Sequence, residues 1–170
     1  MRLSSEILIS ESALRSRVEA MAAAITADTP EGTTLSVIAL MDGAFVFCAD
    51  LVRRLPMPIR LALVPMVSIE RGGDPRNVPL PFPMRGADVL VVEDILDTGR
   101  TLSALSARLH AETPARLRVA VLLDKPARRA VDFRPDYLGF TVPDRWIVGY
   151  GLDVDGLYRN LPYVTYVVSR

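Results

Sequence analysis

Three short, almost wholly apolar runs, within Leu35–Met41, Asp88–Glu93 and Leu117–Leu123, alternate with segments of helical spacing, and this alternation most restricts the folds open to the chain. Strands that are apolar on both faces belong in a parallel sheet covered on both sides, because a half-solvated strand would alternate apolar with polar. The intervening segments supply the covering. Glu11–Ala27 places Leu14, Val18, Met21, Ala22 and Ile25 at roughly helical spacing behind a cap at Ser10 or Ser12. A second helix is expected over Ala44–Arg54, after the tight turn Asp42-Gly43, and a third over Thr101–Ala111, with Leu102, Leu105 and Leu109 on one face. Arg60–Ile69 reads as a further strand. The expected fold is therefore α/β, a central parallel sheet flanked by helices. With 50% hydrophobic and 24% charged residues, the 170-residue chain can fill one core, so residues 1–170 are read as a single domain.

Two segments depart from the alternation. Arg71–Gly86 is rich in proline and glycine (Gly72, Gly73, Pro75, Pro79, Pro81, Pro83) and has no periodicity, which marks a lid or binding loop over about 68–86. From Tyr137 to Arg170 the chain offers short extended pieces around Leu138-Gly139-Phe140, Trp146-Ile147-Val148 and Tyr163–Val168, broken by Pro143, Gly149, Gly151 and Gly156. This last quarter reads as a small hood on the sheet.

Composition narrows the function classes. Twenty basic residues balance twenty acidic ones, so attachment to nucleic acid or an anionic membrane by charge alone has no support. The longest apolar region, Leu35–Val52, is interrupted by Asp42, Gly43 and Asp50, and the residues after Met1 lack the apolar core of a signal peptide. A soluble cytoplasmic protein is expected. The single cysteine, Cys48, lies in an apolar stretch and reads as core filler, and His110, late in its helix with no second ligand at metal spacing, reads as a surface residue.

In an open parallel sheet, ligands bind beyond the carboxyl ends of the strands. The strand Val89–Val92 ends in Glu93-Asp94-Ile95-Leu96-Asp97-Thr98-Gly99-Arg100-Thr101. Its second half has the parts of an anion cradle: a glycine for tight curvature, two hydroxyls, and the amides that open a helix. Its first half has the opposite sign, and Glu93 and Asp94 suit sugar hydroxyls or a divalent cation. A sugar phosphate satisfies both halves. Among the 20 lysines and arginines Lys125 is the only lysine, which suggests that a compact charge is wanted at that strand end.

The run from Val91 to Leu102 resembles the phosphoribosyl pyrophosphate motif of type I phosphoribosyltransferases. Its flanks, Leu122–Pro126 and Gly139–Asp153, look like the hypoxanthine-guanine branch of that family, and the likeness extends from about residue 6 almost to the end. The resemblance implies transfer of ribose 5-phosphate from phosphoribosyl pyrophosphate to a 6-oxopurine, with Mg2+, by a homodimer or homotetramer. By motif position, Glu93 and Asp94 would meet the ribose hydroxyls or their magnesium. Asp97, Thr98, Gly99, Arg100 and Thr101 would hold the 5-phosphate region, and Asp97 would act as general base. Asp42, Gly43 and Arg159 would face pyrophosphate, with Arg129 assisting. Lys125 would donate to the purine oxygen, Trp146 would stack on the ring, and the backbone of Ile147 would read the base edge. Asp153, also on the purine side, would bind a second magnesium.

The chain departs from the family pattern at two places. Asp42 stands where a lysine or arginine is usual, and Ser68-Ile69 replaces the usual Ser-Tyr pair of the lid. These departures keep open a regulatory or weakly catalytic relative that binds phosphoribosyl pyrophosphate. A phospho-acceptor receiver domain, the other alternative, would place its acidic pair on the first strand, whereas here Glu93-Asp94 come late.

Overall fold

A computed structural model describes residues 2–65 and 80–169. In chain order the elements are β1 (Arg2–Leu3), α1 (Glu11–Asp28), β2 (Leu35–Met41), α2 (Phe45–Val52), β3 (Ile59–Pro65), β4 (Asp88–Leu96), α3 (Arg100–His110), β5 (Arg116–Asp124), a 3-10 turn (Pro126–Arg128), β6 (Tyr137–Thr141), β7 (Ile147–Val148) and β8 (Thr165–Ser169). Five strands form one parallel sheet in the order β3-β2-β4-β5-β6.

The double-sided burial expected of such strands is present. On β4, Leu90 and Val92 pack with α1 and α2 through Leu14, Val18, Phe47 and Leu51, while Val89 and Val91 pack with α3 through Leu102, Leu105 and Leu109. The apolar stripe of α1 is the one its spacing predicts, and Ser10 caps it by accepting from the Ala13 amide at 3.2 Å. Cys48 is buried as filler, and burial pushes its thiol up to about 11, so it stays protonated and unreactive. No helix among the described residues is long and apolar enough to cross a membrane.

Two boundaries move. Tyr137–Thr141, expected in the hood, is instead the edge strand of the main sheet, paired in parallel with β5. Gly139 permits this, because a Cβ there would overlap the Leu122 carbonyl. The hood proper is a separate antiparallel sheet in which β8 lies between β1 and β7, so it borrows a strand from the N-terminus. The strand expected over Arg60–Ile69 is described as far as Pro65, and the Ser68-Ile69 position and most of the expected lid lie outside the described residues.

Candidate active site

The cleft lies where the carboxyl ends of β2, β4 and β5 meet the hood, and it encloses about 740 Å³. Its floor comes from β4. That strand, expected to end at Glu93, keeps pairing with β5 through Leu96, so Glu93 and Asp94 stand on regular strand rather than on a turn. The Glu93 carboxylate accepts from the Asp94 amide at 3.1 Å, and Asp94 accepts from the Ile95 amide at 2.8 Å. Burial pushes Asp94 up, against the lowering by Glu93, by backbone amides and by the Arg159 charge. Asp94 also packs against the backbone of Gly43, where a Cβ would overlap its Oδ2 and Cγ.

Beyond Leu96 the chain turns sharply into α3. Gly99 has φ +81°, and a Cβ there would lie 3.1 Å from Val131 and 3.3 Å from Arg129. Only glycine fits both demands. Gly99, at the N-cap, has no side chain to offer α3, and only the Thr98 hydroxyl reaches its opening, accepting from the Arg100 amide at 3.4 Å, so the following amides of the first turn are left as donors beside the cleft residues Thr98 and Thr101. Arg129 fixes the turn from behind, donating to the carbonyls of Asp97 and Leu96 and pairing with Asp124. The resemblance placed Arg129 at pyrophosphate, but it does not line the cleft.

At one end of the cleft Arg159 donates to the Gly151 carbonyl at 2.7 Å and lies 3.0 Å from Asp153 and 3.9 Å from Asp42. The Met41–Asp42 peptide is cis. At the other end Lys125 donates to the Arg145 carbonyl at 2.7 Å. Its pKa is lowered, first by desolvation and then by Arg128, while Asp97 and Asp144 act in the opposite direction. Trp146 is 52% exposed and donates its indole N–H to the Asp153 carbonyl at 3.2 Å, so its ring stands in the cleft rather than in the core. Ile147 lies buried on β7 beside it.

Of the residues expected at the site, Asp42, Gly43, Glu93, Asp94, Asp97, Thr98, Gly99, Thr101, Lys125, Trp146, Ile147, Asp153 and Arg159 all line this one cleft. Arg100 does not. Its side chain is exposed, and what it brings to the turn is its backbone at the start of α3. Arg128, Asp144 and Arg145 also line the cleft, and sequence reading missed them. Arg128 Nε lies 2.5 Å from Asp97 Oδ1 and its Nη1 3.5 Å from Asp144. The available signal was spacing, since Arg128 follows Lys125 by one turn of 3-10 helix and Asp144-Arg145 immediately precede Trp146.

Among the described residues no three His, Cys, Asp or Glu side chains converge to hold a metal, so Glu93, Asp94 and Asp153 do not form a protein cage. The donor set nevertheless suits magnesium, which keeps several waters and typically takes one or two carboxylates together with substrate oxygens.

The sequence matches the phosphoribosyl transferase domain family over residues 5–155. The chain belongs to this family. Hypoxanthine phosphoribosyltransferase of Salmonella typhimurium is 38% identical over 169 residues, spanning 96% of this chain and 95% of its own length. The Escherichia coli enzyme of the same name is 36% identical over the same span. A hypoxanthine-guanine phosphoribosyltransferase structure from Bacillus anthracis superimposes with a TM-score of 0.86 at 38% identity, covering 98% of this chain and 100% of that one. The cleft lies at the carboxyl edge of the strands, the side on which open parallel sheets bind their ligands.

Proposed function

We propose that this phosphoribosyltransferase joins a 6-oxopurine, hypoxanthine or guanine, to phosphoribosyl pyrophosphate, giving the nucleoside 5'-monophosphate and pyrophosphate. The observation that carries this is the meeting, in one cleft, of a glycine-led helix start, a strand-borne acid pair, and a lysine beside an exposed tryptophan. Three unlike ligand parts are each matched.

The 5-phosphate sits on the amides that open α3, with the hydroxyls of Thr98 and Thr101 alongside. Glu93 and Asp94 accept from the ribose hydroxyls, and their negative charge favours the cationic sugar carbon that exists only as pyrophosphate departs. Trp146 offers its face to the purine, Lys125 Nζ turns from the Arg145 carbonyl to the 6-oxygen, and Ile147 presents backbone to the base edge. Asp97 receives the purine ring proton after exchanging its partner Arg128 for the base. Glu93, Asp94 and Asp153 would each offer a carboxylate to magnesium, which would supply charge neutralisation on the leaving pyrophosphate. The Asp42-Gly43 backbone and Arg159 face that leaving group. Assembly into a homodimer or homotetramer belongs to the same proposal, supported by the exposed apolar side chains of Phe45 on α2 and of Leu61 and Leu63 on the edge strand β3.

Nucleotide formation measured with hypoxanthine, guanine, xanthine and adenine in turn tests the reading, which fails if none is converted. Lys125→Ala is expected to raise the KM for hypoxanthine about 10- to 100-fold, the loss of one charged hydrogen bond, with a smaller change in kcat. An equal effect on any adenine reaction would remove Lys125 as the group that selects a 6-oxygen. Gly43→Ala adds a Cβ where the Asp94 carboxylate lies, so that buried side chain must leave its bond to the Ile95 amide. Some stability should be lost, while kcat/KM for the donor falls on the order of 100-fold, as expected when a positioning group is displaced by about an ångström. Steady-state kinetics beside a thermal melt separates the two effects.

A further inference from the structure

The end of the cleft that faces the leaving group has an unusual charge balance. Among the described residues lining the cleft Arg159 is its cation, because Lys125 and Arg128 gather at the base end around Asp97 and Asp144 and the Arg145 guanidinium lies 4.3 Å over the Tyr166 ring. That single guanidinium is already engaged: one nitrogen donates to the Gly151 carbonyl at 2.7 Å, and the other lies 3.0 Å from Asp153 and 3.9 Å from Asp42. The two carboxylates differ. Asp153 is anchored, accepting from the Gly156 amide at 2.7 Å, with a side chain 29% exposed. Asp42 is 63% exposed and lines the cleft beside Gly43, its carboxylate on the Arg159 side that the proposed function gives to the diphosphate. An acid there repels a bare polyanion, and the repulsion grows as bound ligand displaces water.

We propose that Asp42 is a specificity-determining residue that makes this end of the cleft reject metal-free diphosphate and accept its magnesium complex. The inference rests on reading the cleft as a phosphoribosyl pyrophosphate site. With a divalent cation on the diphosphate, the charge facing Asp42 is largely cancelled, so the same carboxylate that opposes the bare anion no longer opposes the complex. Arg159 can then turn from Asp42 to a phosphate oxygen without leaving two acids facing the anion.

Calorimetric titration of the whole chain with sodium pyrophosphate, once with chelator and once with excess magnesium chloride, tests this without any turnover. Asp42→Asn keeps the size of an exposed side chain and removes only its charge, so folding is not at issue. It is expected to tighten binding of metal-free pyrophosphate about tenfold and to change binding of the magnesium complex by less than about threefold. If both forms shift alike, or neither shifts, while the unsubstituted protein binds the magnesium complex, the role of Asp42 is refuted and the transferase reading stands. If the unsubstituted protein binds neither form, the reading of the cleft fails and the inference falls with it.

Discussion

Asp97→Asn is expected to lower kcat by about 10²- to 10⁴-fold while leaving the affinity for phosphoribosyl pyrophosphate within about threefold of its original value. The carboxylate is 40% exposed within the cleft and touches the guanidinium of Arg128 at 2.5 Å. Asparagine keeps the volume and one acceptor oxygen but cannot take the purine ring proton at neutral pH. Donor binding should survive because the phosphate turn is not held by this side chain. Arg129 grips the backbone carbonyl of Asp97, and the Ala130 amide donates to the Thr98 carbonyl at 2.9 Å, so the helix opening keeps its shape. Arg128, released from Asp97, has Asp144 at 3.5 Å as an alternative partner, which limits any collapse of the cleft wall. Single-turnover nucleotide formation and donor titration by calorimetry read the two quantities separately. Turnover retained within about threefold would remove Asp97 as the base, and a parallel loss of donor affinity would recast it as a binding group.

Much of this site was legible because its chemistry is concentrated in contiguous runs. Glu93 to Thr101 follows one strand and opens one helix, so local rules for strand ends and helix starts already bring acid pair, glycine and hydroxyls together. Lys125 and Trp146 are the only lysine and the only tryptophan of the sequence, and both line the cleft. What stayed hidden depends on long-range pairing. Residues 137–141 read like hood because glycine and aromatics interrupt their apolar pattern, yet β6 joins the main sheet through the close approach that Gly139 allows to the Leu122 backbone. The hood itself needs Arg2–Leu3 to pair with Ser169 and Val167 across almost the whole chain, a register that no local pattern encodes. Arg129 illustrates the same limit. Its neighbour Arg128 enters the cleft while Arg129 turns inward to Asp124, and adjacent arginines carry no mark of which way each will point.

Asp88→Ala is expected to destabilise the fold by about 3–5 kcal/mol, the cost of leaving a buried charge without its partner. Asp88 opens β4 at 5% exposure, beneath an apolar run that gave no warning of an ion pair. Its carboxylate meets Arg118 at 2.7 Å and Arg116 at 2.9 Å, the first and third residues of β5 supplying both cations. Arg118, 8% exposed, also donates to the Tyr137 hydroxyl at 3.0 Å and to Thr29 at 3.1 Å, and Tyr137 in turn donates to Asp28 at 2.8 Å. Burial works against the Arg118 charge, but its bonds to Asp88 and Tyr137 more than offset this and raise its pKa. The network thus ties β4, β5, β6 and the end of α1 at the amino edge of the sheet, opposite the cleft. Alanine would leave the buried Arg118 guanidinium with the neutral Tyr137 and Thr29 hydroxyls but no counter-charge bonded to it, with Arg116 freer to reach water because its side chain is 38% exposed. In urea the midpoint should fall with an unchanged slope, and kcat measured well below the melting range should stay within about twofold, since no member of the network lines the cleft. Replacing both partners, Asp88→Leu with Arg118→Leu, should recover part of the loss, because two apolar side chains leave no charge unpaired. A double variant no more stable than Asp88→Ala alone would show that Asp88 acts through Arg116 or through packing instead.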